Sequence, residues 1–360
     1  MFDCISSFLC YNVKEMCPEG YQSTDEVFYP MKYKRLAAVL TSIAILLSGC
    51  SGLSGEREQI YTDTLFDTVV RIEIYDSVDD DVLKGCEDIC KKYDAMFSNK
   101  NADSEISRIN AAGGSPVEVS GETVKLIKKA LYYSEFSNGL FDITIAPVSD
   151  LWDFHSETPT PPAPEVLSEA VSHVDYKNIV IKDNTIKLAD PRAAIDVGGI
   201  AKGYIADRVK EYLKKQGVRH AIINLGGNVL AMGGRLDGSD YNIGIQKPFD
   251  DAGEPITSVR VSNKSVVTSG TYQRYFEAGG KLYHHILDPG TGLPCENNLH
   301  SVTIITDSSL TADALSTTCF LLGLDKSLKL LDQLDNVDAV FITKDNKIHY
   351  SRNFQHKLKK

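Results

Sequence analysis

Ile195-Asp196-Val197-Gly198-Gly199-Ile200-Ala201-Lys202-Gly203-Tyr204 is the stretch that decides how this chain is read. Its apolar start predicts a short strand, two glycines allow a sharp turn, and the residues beyond carry the period of a long helix closing at Gly217. A helix that opens there leaves N–H groups without partners. The glycines let a ligand approach the backbone, and Lys202 adds a positive charge one turn in. The junction suits an anion such as phosphate. It follows neither the phosphate-loop nor the dinucleotide spacing, and an ordinary strand-to-helix turn would read the same way.

Working outward, residues 66 to 75 alternate as a strand and residues 82 to 97 carry helical periodicity. Ser120 can cap a helix that runs to Asn138-Gly139, and its partner segment, 140 to 148, holds Phe141-Asp142-Ile143-Thr144 near the helix exit. The proline cluster 158 to 164 is a stiff surface loop, and 178 to 188 reads as a hairpin turning at Asp183-Asn184. Strands dominate from 221 to 305, at 221–225, 241–246, 258–261, 272–276, 284–287 and 301–305. Two helices, 310–322 and 326–334, and a hairpin over 337–350 complete the pattern. Such short connections favour antiparallel pairing, so the fold class is α+β, with mainly antiparallel sheets and packed helices.

The chain has 360 residues, 42% hydrophobic and 24% charged, which is a globular composition. A net charge of -11 argues against nucleic acid or an anionic lipid surface as a general partner. A polyanionic ligand must then be gripped by a local device. Lys32, Lys34 and Arg35 precede an apolar run, 36 to 47, too short to span a bilayer stably. The run ends in Leu47-Ser48-Gly49-Cys50, which resembles the lipobox of bacterial lipoproteins, where the cysteine becomes the lipidated first residue. The expected organisation is a non-native extension (1–30), a signal peptide (31–49), a tether (50–62) and one domain (63–355). The location implied is the extracytoplasmic face of the cell membrane, with Cys50 as anchor. Cys86, Cys90, Cys295 and Cys319 are read as packing residues, because the first pair sits four apart on a helix.

Several motifs offer chemistry. In Thr311-Ala312-Asp313-Ala314-Leu315-Ser316-Thr317, Asp313 and Thr317 stand four apart on one helix face. Together they could supply hard oxygens to Mg²⁺, or they could be a cap and a hydroxyl satisfied by its own helix. Within Tyr283-His284-His285-Ile286-Leu287-Asp288-Pro289, alternation sends His285 and Leu287 to one face, and a histidine there can move protons or serve as a structural hydrogen-bonding group. Asn224-Leu225-Gly226-Gly227-Asn228 is a glycine turn at a strand end. Residues 268 to 276 read as one strand rich in hydroxyls and aromatics, with Arg274 among them.

Taken in order, these motifs resemble the ApbE family, the FAD:protein FMN transferases, from about residue 66 to 350. The series is Phe66-Asp67-Thr68, Ser104-Glu105-Ile106-Ser107-Arg108-Ile109-Asn110, Gly139-Leu140-Phe141-Asp142-Ile143-Thr144, the 195–204 stretch, Asn224-Leu225-Gly226-Gly227, Thr268-Ser269-Gly270, His285-Ile286-Leu287-Asp288-Pro289 and Thr311-Ala312-Asp313-Ala314. The resemblance implies an ApbE-like, T-fold-like architecture. It also implies an enzyme that binds FAD and Mg²⁺, cleaves the pyrophosphate, and joins FMN through a phosphoester to a threonine of a target protein, releasing AMP. On that resemblance Phe66, Leu140, Phe141, Asp142, Asp196, Lys202 and Leu287 would contact FAD. Gly199, through its carbonyl, with Asp313 and Thr317 would hold the metal. His285 would take the threonine proton, with Lys202 and Asp313 also in the catalytic set and Asp288 and Arg274 supporting. The implied acceptors are flavin-carrying subunits of membrane or extracytoplasmic electron-transfer complexes.

Two positions depart from the commoner family pattern. Phe66-Asp67-Thr68 stands where many members have Met-Gly-Thr, and Asn99-Lys100 follows Phe97-Ser98 where many have an aromatic that would stack on a ring of FAD. The missing ring favours turnover, including hydrolysis of FAD to FMN and AMP. A Mg²⁺-dependent FAD pyrophosphatase and a non-catalytic, lipid-anchored flavin-binding protein are the alternative readings.

Overall fold

The computed structural model describes residues 59 to 354 other than 155, 157, 251, 252 and 353. The expected extension, signal peptide and Cys50 lie outside the described residues.

In chain order the elements begin with β1 (Gln59–Leu65), β2 (Thr68–Ile74), α1 (Asp80–Phe97), α2 (Glu105–Ala111), β3 (Val117–Glu118), α3 (Gly121–Phe136), α4 (Ala146–Ser149) and α5 (Pro164–Val171). Then come β4 (Ile179–Lys182), β5 (Thr185–Leu188), α6 (Ala201–Lys215), β6 (Ala221–Leu225), β7 (Asn228–Met232), β8 (Tyr241–Gln246) and β9 (Pro255–Val261). The rest are β10 (Ser265–Gly270), β11 (Tyr275–Ala278), β12 (Lys281–His284), β13 (Leu299–Thr306), α7 (Ser309–Leu322), α8 (Leu324–Leu331), β14 (Asp338–Thr343) and β15 (Ile348–Tyr350).

One eight-stranded sheet, ordered β1-β2-β6-β7-β10-β13-β14-β15 and antiparallel at every step, organises these elements. Its inner strands read as nearly continuous apolar runs because both faces are covered. In β14, Ala339 and Phe341 enter the main core under the helices, whereas Val340 and Ile342 join a second core against the β8–β9 hairpin. Helix α1 buries Val82, Cys86, Cys90, Tyr93 and Phe97, a stripe at spacings of three and four. Each fully buried side chain of this size, Phe320 and Phe341 among them, stabilises the fold by about 1.5–3 kcal/mol. The α+β reading therefore holds, and Cys86, Cys90, Cys295 and Cys319 are free and buried as packing residues. Among the described residues no helix is long and apolar enough to cross a membrane.

Helices α6 and α7 are clasped at their N-termini. Asp207 of α6 accepts hydrogen bonds from the Ser309 and Leu310 amides (3.0 and 3.1 Å) and from the Ser308 hydroxyl (2.8 Å). Asp313 of α7 accepts the Gly203 amide in return, at 2.8 Å. Each carboxylate satisfies N–H groups that the other helix would leave bare, and each sits where the helix dipole favours negative charge. Gly203 permits this approach, since a Cβ there would lie 2.3 Å from the Ser309 carbonyl oxygen.

The structure corrects several sequence expectations. Residues 195 to 197 form no regular strand; they are extended backbone with a single parallel bridge, Ile145 to Ala194, just before them. The Asn110 side chain supplies what a neighbouring strand would, donating to the Ile195 carbonyl (2.9 Å) and accepting its amide (2.6 Å). The expected strand over 66–75 is β2, but it begins only at Thr68 and is the second arm of a hairpin. Phe66 and Asp67, both with φ near +56°, form its two-residue turn, and β1 takes residues 59 to 62 out of the expected tether. Thr268 to Phe276 is not one strand either, for β10 ends at Gly270 and β11 begins at Tyr275. Residues 140 to 148 form an irregular crossing and the short α4. The strand placed at 284–287 ends at His284.

Replacing Gly203 with alanine drives a methyl group into the backbone of α7. The loss of stability is expected to be about 2 kcal/mol or more despite alanine's better helix propensity, read as a lowered melting temperature in calorimetry.

Candidate active site

The N-terminus of α6 lies where the sequence placed an anion site, and its surroundings come from four distant segments. Ile200 precedes the helix with no side-chain cap. Asp196 is fixed by its amide to the Ile143 carbonyl (2.8 Å), while its carboxylate accepts the Gly198 amide (2.7 Å) and faces the Ser149 hydroxyl at 3.4 Å. Lys202 folds back so that Nζ donates to the Gly198 carbonyl at 3.0 Å. Part of the expected amide supply is already committed, because Gly203 donates to Asp313.

Gly199 joins two of these segments. A Cβ there would meet the Phe141 ring at 3.1 Å and the Thr317 hydroxyl at 3.8 Å, so any side chain would intrude on the space between them. Thr317 also lies 3.2 Å from the Ser269 hydroxyl, which pairs with Ser316 at 2.8 Å. The Ser269 hydroxyl, whose role the sequence motif does not reveal, ties the end of β10 to α7. Asp313 is buried, and burial pushes its carboxyl above the ordinary range, opposed by the Lys202 charge and by the Gly203 and Asn228 amides. A desolvated carboxylate beside a lysine and a threonine is a hard-oxygen set that a cation would stabilise. Among the described residues no three His, Cys, Asp or Glu side chains converge, so an all-protein metal cage is absent. Magnesium does not require one, since it keeps several waters and shares its shell with phosphates.

The hairpin tips of the sheet form a second cluster. Gly226 and Gly227, both at positive φ, turn β6 into β7, and a Cβ on Gly226 would lie 2.2 Å from the Thr68 hydroxyl of the neighbouring hairpin. Phe66 is half-buried with its amide on Asp94 Oδ1 (2.9 Å). Next to it, Asp67 accepts from Lys100 Nζ at 2.5 Å, and its carbonyl receives Arg274 Nη2 at 3.4 Å. Arg274 in turn offers its own carbonyl to the His285 amide (3.1 Å) and to His285 Nδ1 (3.3 Å). A proton on Nδ1 satisfies that contact and leaves Nε2 as a lone-pair acceptor. Burial, then the charge of Arg274, depresses the His285 pKa to about 3, with His284 and Lys202 adding to the effect. The ring is therefore neutral near pH 7.

The sequence-derived residues thus fall into two groups. Lys202, Gly199, Thr317 and Phe141 gather at the α6 entrance with Asp196, and the Lys202 charge acts on both Asp313 and His285. Asp142, Leu140 and Leu287 have other tasks. Asp142 accepts from the Thr144 amide and hydroxyl (2.8 and 2.7 Å) and from the Tyr176 amide (2.9 Å), so its carboxylate shapes the loop that carries Phe141. Leu140 continues the turn after α3, and Leu287 packs with Trp152 and Phe276. His284 is buried against Phe320 with its ring on the Cys295 carbonyl (3.2 Å). Asp207 is the residue that the sequence did not single out, and Asn228 appears there only as the end of a glycine turn. Asp207 carries a signal only in its position, two turns into a helix whose partner begins with Ser308-Ser309.

Comparison with known proteins places the chain. The ApbE family model matches residues 66–341. An FAD:protein FMN transferase of Klebsiella pneumoniae is 38% identical over 301 residues, 82% of this chain and 92% of that protein. One of Treponema pallidum is 32% identical, covering 87% and 92% respectively. The crystal structure of the ApbE protein of Thermotoga maritima superposes with a TM-score of 0.76 at 31% identity, over 82% of this chain and 97% of that one. The apo flavinyl transferase ApbE of Pseudomonas stutzeri gives 0.72 at 29%, over 83% and 96%.

Both depressed histidines, His285 at about 3 and His284 at about 4, predict one spectroscopic outcome. Imidazole resonances followed by NMR should stay on the neutral plateau from about pH 8 down to about pH 5.5. A midpoint near the ordinary 6.5 for His285 would contradict the half-buried, cation-flanked setting.

Proposed function

The chain belongs to the ApbE family, and from that membership we propose how its residues carry the family's reaction. The enzyme is a transferase that moves FMN from FAD to a protein. In this reading the FAD diphosphate lies at the entrance of α6, where Lys202 neutralises charge. Phe141 and Phe66 offer apolar surface to the nucleotide from the two clusters, and Asp196, Leu140, Asp142 and Leu287 shape or contact its site. Asp313, Thr317 and the Gly199 carbonyl would hold Mg²⁺, which supplies Lewis-acid stabilisation of the diphosphate when bound. The buried carboxylate and the Cβ-free approach at Gly199 fit such an ion.

The acceptor threonine hydroxyl attacks the phosphorus on the FMN side of the pyrophosphate. One P–O bond forms as the P–O bond to AMP breaks, the bonding pair leaves on AMP, and the hydroxyl proton passes to His285 Nε2. Positioning and electrostatics carry most of the acceleration in such a transfer. The observation that supports this reading best is the pairing of Asp313 with the α6 N-terminus beside Lys202, residues more than a hundred positions apart in the sequence. The lipobox-like ending at Cys50 supports a lipid anchor on the extracytoplasmic face, with acceptors among the flavin-carrying subunits of electron-transfer complexes there.

The test incubates the protein with FAD, Mg²⁺ and a threonine-bearing acceptor, and follows both AMP and flavin fluorescence on the denatured acceptor. Both should appear together in wild type. Asp313→Ala should lower both by about 100-fold or more, since a site-defining carboxylate is gone. AMP without a labelled acceptor would convert the reading to FAD hydrolysis, and undiminished activity in Asp313→Ala would remove the metal assignment.

A further inference from the structure

Asp67 of the β1–β2 turn and Lys100 of the loop after α1 touch each other. Lys100 Nζ sits 2.5 Å from Asp67 Oδ2, an ion pair on the rim of the site. Asp67 also supplies the carbonyl that anchors the Arg274 guanidinium, which makes its carboxylate an acidic group of the same residue that Arg274 contacts. Among the described residues Arg274 has no ion pair, and its charge is the strongest one acting on His285.

Resting on the transferase reading, we propose that Arg274 is a further catalytic residue, an arginine that contacts the transferring phosphoryl group, and that Lys100 keeps it available by holding the Asp67 carboxylate. Three features carry this. The Arg274 backbone is fixed by two contacts from His285, so its guanidinium belongs to the same loop as the base. The Asp67 turn has left-handed φ at both residues, which restricts where that carboxylate can swing. A guanidinium with no ion pair among the described residues, beside a ring on which the Lys202 charge also acts, matches the charge that builds on the phosphoryl oxygens as the hydroxyl attacks and AMP departs. Released from Lys100, Asp67 would become the partner of Arg274 and compete with the phosphoryl group for it.

The proposal makes an epistatic prediction that simple loss of a surface contact would not. Arg274→Gln should lower kcat for transfer about 100-fold with little change in KM for FAD, and Arg274→Lys should retain part of the rate. Lys100→Ala should lower kcat about threefold to tenfold, a modest effect because the pair is largely exposed. Adding Asp67→Asn to Lys100→Ala should restore the rate to within about twofold of wild type, since the competing carboxylate is gone. Asp67→Asn should not rescue Arg274→Gln. A full rate in folded Arg274→Gln, or a double variant no better than Lys100→Ala, would overturn the proposal. Each arm is read against wild-type protein that labels its acceptor, so failure here is separate from failure of the transferase assignment.

Discussion

The reciprocal clasp between α6 and α7 is the constraint on which the site depends. Each helix lends a carboxylate to the other's N-terminus, Asp207 to Ser309 and Leu310, and Asp313 to Gly203. Glycine at 203 lets the two backbones meet. This arrangement buries Asp313 next to Lys202 and fixes Thr317 one turn further along the same helix. Removing any part of the clasp would leave either bare amides or an uncompensated buried carboxylate, and both are costly. The fold thus stores an electrostatically demanding carboxylate at the point where a diphosphate and its cation would relieve it.

A second constraint comes from the sheet edge. Hairpin tips at Phe66-Asp67 and Gly226-Gly227, together with the turn after β10, are brought side by side because β2, β6, β7 and β10 are neighbours. Their contacts run from Lys100 to Asp67, from Arg274 to Asp67, and from His285 to Arg274. The Lys202 charge at α6 acts on His285, so the two clusters lie within electrostatic reach of each other. In the proposed reaction, charge stabilisation and proton removal would be divided between them, which suits a transfer whose transition state gains charge on oxygen and loses a proton from the nucleophile.

Much of this was legible in the sequence where local physics dominates. Ser120, Asn138-Gly139, Asp183-Asn184 and Gly217 punctuate the chain as side-chain caps and positive φ require. The misreadings have specific causes. Phe66-Asp67 continues an alternating pattern and lacks the glycine that usually marks such a turn, so the hairpin was hidden. Residues 59 to 62 lie on an edge strand and none of them is buried, so they resemble a tether. The run from Thr268 to Phe276 is rich in strand-forming residues, although its centre turns. Residues 195 to 197 lack strand pairing because a side chain, Asn110, takes the neighbouring strand's place. Long-range roles such as those of Asp207, Asn228 and the Lys100–Asp67 pair carry no local signal; they exist only after the chain has folded.

The central claim is that Lys202, Asp313 and Thr317 grip the diphosphate of FAD and its cation together. The most direct measurement is a crystal structure of the protein soaked with FAD and Mn²⁺, with anomalous scattering recorded at the manganese edge. The account predicts an anomalous peak shared by the Asp313 carboxylate, the Thr317 hydroxyl and a diphosphate oxygen, with Lys202 turned from the Gly198 carbonyl onto the phosphates. FAD bound with its diphosphate away from the α6 entrance, or manganese bound without contact to Asp313, would contradict it.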